Sequence, residues 1–143
     1  MTLQIESSEV IDRPIDKVFR FYAVDHVRNH PRWDSDMQLW LDSDAPIAVG
    51  TIIRRRNSRS GKPVDGTMEV VEFEPNRVLA MLIHDGPAVM RGRTTFEALS
   101  DHQTRITTVI EIPGMDANAD TSFLRSRLEH SSQIRKQLME AEL

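Results

Sequence analysis

Two periods of apolar residues divide the chain. Leu3, Ile5 and Ser7 alternate, and Val10-Ile11 close a first strand of period two. Pro14 ends that ladder because it carries no N–H, and its fixed φ suits the first turn of a helix. Asp16 places a negative charge at the positive end of that helix. Ile15, Val18, Phe19 and Tyr22 then recur at helical spacing. Asp25 is positioned to cap a second short helix. Pro31 biases His30 away from helical geometry and is expected to end that helix.

Period two returns at Met37. Met37, Leu39 and Leu41 share one face of a strand, with Trp40 opposite. Turn residues over 42–50 lead to a strand at 51–57 and a hairpin loop at 58–63. Further strands follow at 64–73, 77–83, 90–99 and 105–112. Met90, Gly92, Thr94, Phe96 and Ala98 alternate with polar neighbours, as do Ile106, Thr108, Ile110 and Ile112. From about residue 119 to 143 the spacing is helical again. Leu124, Leu128, Ser131, Ile134, Leu138 and Ala141 form one stripe, and Arg125, Arg127, Glu129, Arg135, Lys136 and Glu140 occupy the other faces. Hairpin-length connections favour antiparallel pairing. Helices bracketing a run of strands make an α+β fold rather than alternating βαβ units. At 143 residues, one domain spanning 1–143 is expected, with enough chain to bury a core unaided.

Composition removes several function classes. There is no cysteine, hence no disulfide frame, thiolate metal site or cysteine nucleophile. A net charge of −4 gives no general attraction to nucleic acid or to an anionic membrane. No apolar run reaches the length of a transmembrane helix, so no membrane insertion is expected. The acidic, alternating N-terminus is unlike a signal peptide, and a cytoplasmic location is the default expectation.

The order of elements resembles the START/Bet v 1-like superfamily, in particular its polyketide cyclase/dehydrase-like branch. The residues that carry the resemblance are Ile11-Asp-Arg-Pro-Ile-Asp-Lys-Val-Phe19, Pro31-Arg-Trp33, Gly50-Thr51, Phe73-Glu-Pro75, Thr94-Thr-Phe-Glu97, Thr104-Arg-Ile106 and the closing helix. The resemblance covers nearly the whole chain and lies in the order of these motifs. It implies a helix-grip fold: a curved antiparallel sheet wrapped around a long C-terminal helix, with two short helices after the first strand and a cavity between. It further implies a small hydrophobic or amphipathic ligand, bound or carried, or else cyclase or dehydratase chemistry in the same cavity. The superfamily shares no catalytic motif, so no catalytic residue transfers.

The candidate binding positions follow from the patterns. On the helix stripe they are Leu124, Leu128 and Ser131, the last a polar residue where a packed core would place an apolar one. On the strands, parity selects Met68, Val70, Leu82, Met90, Phe96, Thr108 and Ile110, with ordinary core accounting for most of them. Trp33 is expected to cover one end of the cavity. His84 follows Leu82 in parity and is both a binding candidate and the one weak catalytic candidate, an acid or base at a pocket mouth. Asp85 would point to the opposite face and so cannot orient it.

Other clusters carry less. His26 and His30 share a helical spacing that suits a metal, but Pro31 cuts the helix, so exposed surface histidines and no metal site are expected. No cofactor motif is present. Arg54-Arg-Arg56 splits across two faces of a strand, and an exposed strand guarded by charge is the simpler reading. It lacks the aromatic interleaving of a nucleic-acid site. A third reading makes the chain an interaction module, or a homodimer formed through an open sheet edge or Trp40.

Overall fold

Alternation and helical spacing convert directly into architecture. The computed structural model describes residues 2–116 and 118–143. Strand β1 (Thr2–Ile11) leads to α1 (Ile15–Phe19), a π-helical turn (Arg20–Val24) and α2 (His26–Trp33). Then come β2 (Met37–Trp40), β3 (Ile52–Asn57), β4 (Val64–Glu74), β5 (Val78–Asp85), β6 (Ala88–Ser100) and β7 (Gln103–Pro113). The 21-residue α3 (Ser122–Glu142) closes the order. The strands form one antiparallel sheet in the order β1-β7-β6-β5-β4-β3-β2. Bulges between Val70 and Glu72 and between Ala98 and Ser100 bend it, since an extra residue in one strand increases local twist. This is the α+β helix-grip arrangement.

The structure departs from the sequence reading in four places. First, Asp25 N donates to Arg20 O at 2.9 Å, an i→i+5 bond that makes the turn after α1 a π-helix. The wider turn brings Phe21, Tyr22 and Ala23 inward in succession, where helical spacing selects Tyr22 alone. Second, α2 runs through Pro31 to Trp33. Proline removes one donor, but Asp34 N still donates to His30 O at 3.1 Å and closes the last turn. Asp25 stands at the N-cap without a side-chain capping bond.

Third, the β5–β6 turn is shorter than expected. Asp85 pairs with Ala88, which leaves Gly86-Pro87 as the loop, with Gly86 at φ 57°. A positive φ at the first of two loop residues is a position glycine fills without strain. His84 and Asp85 are therefore strand residues. Fourth, the inward stripe of α3 drifts by one position after Ser131. Arg135 and Met139 are its buried residues, whereas Ile134 and Leu138 are half-buried and Ala141 is exposed.

The core sits between the sheet and the helices. Phe19 meets Phe73 and Phe96 edge-on, with ring centroids 5.4 and 5.0 Å apart. Ile11, Val18, Ile53, Val70, Ile106 and Met139 surround them. Among the described residues no helix is long and apolar enough to cross a membrane.

Candidate functional site

The interior is not filled throughout. A cavity of about 160 Å³ lies between α3, the sheet and the segment Tyr22–Asp34. It is mostly apolar, with polar groups gathered at the α2 end.

Of the candidate residues, Trp33, Met68, Met90, Thr108 and Ile110 line this cavity, as do Leu124, Leu128 and Ser131 of α3. Val70 and Phe96 face inward but are enclosed in packed core. Leu82 and His84 are corrections: Leu82 is half-buried, His84 is exposed, and neither reaches the cavity. Register explains the reversal. Met81 pairs with Val70 and Ile83 with Met68, and residues directly opposite in a ladder share a face. Val70 and Met68 point inward, so the odd-numbered residues of β5 do too. That turns His84 outward and buries Asp85.

Asp85 has a partner that sequence parity concealed. Arg55, the inward member of the arginine run, is buried, and its Nη2 donates to Asp85 Oδ2 at 2.9 Å. Its Nε also lies 2.9 Å from Asp85 Oδ1, off the donor direction, so one aligned bond holds the pair. Gly66 makes the pairing possible. It stands between Arg55 on β3 and Asp85 on β5, and a Cβ there would come within 2.6 Å of Asp85 Oδ1 and 1.9 Å of the His84 carbonyl oxygen. Burial pulls the Arg55 guanidinium below its usual range, and Asp85 opposes that shift. The outward Arg54 and Arg56 pair with Asp42 and Asp65 at 2.8 and 2.7 Å on the surface.

The α2 end carries the densest polar group. Tyr22, His26, His30 and Trp33 follow one another at spacings of four, four and three, and stack into the cavity wall. His30 lies over Trp33 with ring centroids 5.4 Å apart, as does Tyr22. Contrary to the surface reading, His26 is 2% exposed and His30 lines the cavity. That four-residue repeat was visible in the sequence. The expected break at Pro31 is what made the pair read as surface histidines. Among the described residues no group of three or more His, Cys, Asp or Glu side chains is placed to hold a metal ion.

Hydrogen-bond geometry and burial together assign the proton positions. His26 Nδ1 is 2.7 Å from the Tyr22 carbonyl oxygen, which can only accept, so Nδ1 carries the hydrogen. Burial lowers the His26 pKa to about 4, with Arg135 and Arg55 adding to the effect. The ring is therefore neutral near pH 7, and its Nε2 is a bare acceptor. His30 Nδ1, 3.0 Å away, must donate to it. Burial, the neighbouring His26 and nearby arginines push the His30 pKa well below its usual value too. His30 Nε2 is thus left with a free lone pair. Among the described residues nothing donates to it, and Asp34 Oδ2 lies 3.9 Å away. Asp34 itself is held by Arg59, with Arg127 Nη2 at 3.9 Å.

Two further networks complete the wall. Tyr22 Oη lies 3.0 Å from Thr94 Oγ1, which lies 3.1 Å from Thr108 Oγ1. Arg135 pairs with Glu9, its Nε donating to Oε1 at 2.9 Å, and its guanidinium covers the rings of Tyr22 and Trp33 at 4.9 and 5.4 Å. Burial pushes the Glu9 carboxyl up, against the pull of Arg135. The sequence reading places Arg135 off the apolar stripe. Its spacing with Leu128, Ser131 and Met139 marks it as inward.

No family model and no curated protein matches the sequence. Solved structures match its fold. Ara h 8.0201 superposes with a TM-score of 0.74 at 15% identity, over 99% of this chain and 97% of that one. A START superfamily protein from Mycobacterium smegmatis gives 0.73 at 11% identity, over 98% and 99%. Norcoclaurine synthase from Thalictrum flavum, in complex with dopamine and hydroxybenzaldehyde, gives 0.72 at 11% identity, over 100% and 89%.

Proposed function

We propose that this chain, with its START/Bet v 1-like fold, binds a small, mainly apolar molecule with a polar head in the cavity between α3 and the sheet. The observation that carries the reading is the cavity itself: an apolar chamber whose polar groups cluster at one end. Its volume of about 160 Å³ resembles the roughly 150 Å³ apolar cavity that accommodates benzene. A ligand of one ring, or a short chain, is the matching size. Met68, Met81 and Met90 give the wall adaptable surface. Norcoclaurine synthase, captured with two small ring-bearing molecules, supports a ligand of this scale.

Thermal unfolding in the presence of p-xylene or p-cresol tests the reading. A ligand that binds only the folded state stabilises it by about 2.7 kcal/mol at a hundredfold excess over Kd. A rise in Tm that saturates with ligand is expected. No shift up to millimolar concentrations, with no binding by calorimetry, would sink the reading.

A catalytic reading, of the cyclase or dehydratase type, loses His84 as its base, because that ring is outside the cavity. Its remaining candidate is His30, which lines the chamber and has an unfilled lone pair at Nε2.

A further inference from the structure

We propose that the ligand is a neutral phenol-type hydroxyl compound, and that His30 Nε2 accepts its hydroxyl hydrogen. This rests on the cavity-binding reading and adds the chemistry of the head group. The Tyr22 carbonyl accepts from His26 and His26 accepts from His30, so the two-histidine chain ends in one unfilled acceptor at His30 Nε2. The hydroxyls of Tyr22, Thr94 and Thr108 hold three hydrogens and share two contacts, so one hydrogen remains for the chamber. The chamber wall therefore holds an unfilled acceptor at His30 Nε2 beside unused donors, among them this hydroxyl hydrogen, the Ser131 hydroxyl and Arg55 Nε. A hydroxyl can both donate and accept.

Other head groups match less well. A carboxylate brings only acceptors to a bare nitrogen lone pair, and the cavity arginines that could attract it are engaged with Asp85, Asp34, Asp36 and Glu9. An ammonium would face the guanidiniums of Arg55, Arg59, Arg127 and Arg135 in the same wall. A phenol is preferred over an alkanol on two counts. Its more acidic O–H is the stronger donor to an imidazole, and its ring meets the aromatic and methionine surfaces that line the chamber.

Three probes of near-equal size separate the terms. p-Cresol donates and accepts, 4-methylanisole only accepts, and p-xylene does neither. Burying a hydroxyl without a partner is unfavourable, so an indifferent chamber should prefer p-xylene. The inference predicts that p-cresol binds at least about tenfold more tightly than either analogue, measured by calorimetry near pH 7. It further predicts that His30→Leu reverses the order in favour of p-xylene. The wild-type series decides alone if that variant does not fold. Binding of p-xylene or 4-methylanisole as tight as p-cresol overturns the role of His30 and leaves the cavity reading standing. Failure of all three probes removes the cavity reading and this inference together.

Discussion

The two ends of the same concave sheet are built differently. At one end Phe19 descends from α1 between Phe73 and Phe96, and the space is filled edge to face. At the other, the same strand β6 presents Met90 and Gly92 to open space, and from across the gap Thr94 meets only the Tyr22 hydroxyl. Both sets share one parity and one face. What separates core from cavity is the side chain supplied from across the gap. At the hollow end α3 contributes Leu124, Leu128 and Ser131, which only partly cover it. The buried charges and histidines also gather at the hollow end, where polar atoms can face a chamber instead of packed hydrocarbon.

The comparison can be broken at either end. Phe96→Ala should cost about 4 kcal/mol in urea unfolding, since it opens a void between Phe19 and Tyr22. Met90→Ala, on a wall that already borders open space, should cost under about 1 kcal/mol by the same measurement. Equal losses would mean that the ends do not differ in packing.

Arg135→Met should cost about 3 kcal/mol, because Glu9 is then left buried without its cation. Adding Glu9→Gln should recover a large part of the loss. A double variant no more stable than Arg135→Met would show that the pair is not what stabilises this wall.

Stability should fall on acidification. His26 titrates at about 4 when folded against 6.5 when unfolded, so the unfolded chain binds more protons between those values. The contribution is complete above pH 6.5 and is lost as pH drops towards 4. It corresponds to about 3 kcal/mol. His30 works in the same direction. Glu9, whose pKa is raised, works against them, because its ionisation above pH 4.5 disfavours the folded state. A net loss of about 2 kcal/mol is expected from urea midpoints at pH 6.5 and 4.5. A flat profile would place the histidines in water.

The smallest stability effect should be the most selective. A Cβ at Gly92 meets only Ile110 Cδ1 at 3.5 Å and Ile83 Cδ1 at 3.8 Å, ordinary contact distances. Gly92→Leu should therefore fold with stability within about 1 kcal/mol of the parent and occupy part of the chamber. Loss of p-xylene binding without loss of fold would sharpen the distinction between the ends. Undiminished binding would mean that the ligand lies elsewhere.

Much of this architecture was legible in the residues. Alternation over β4, β6 and β7, the prolines and glycines between strands, and the terminal stripe specify an α+β fold, because burial of one face imposes its own period. Element order carried the resemblance to the START/Bet v 1-like superfamily. Candidate residues on β6, β7 and α3 were found wherever parity was unambiguous: Met90, Thr108, Ile110, Leu124, Leu128 and Ser131 all border the chamber. Parity failed on β5, where only pairing with Met68 and Val70 decides which way His84 and Asp85 turn.

The rest belongs to tertiary structure. Arg55 and Asp85 are thirty positions apart and meet because Gly66 lies between their strands. Glu9 and Arg135 meet across nearly the whole chain. The protonation of His30 depends on a carbonyl two turns earlier, through His26. Periodicity reports which face of an element is buried, because that is a property of one segment and water. Whether a buried polar group has a partner, and whether a space is filled, depends on segments distant in sequence that only the folded chain brings into contact.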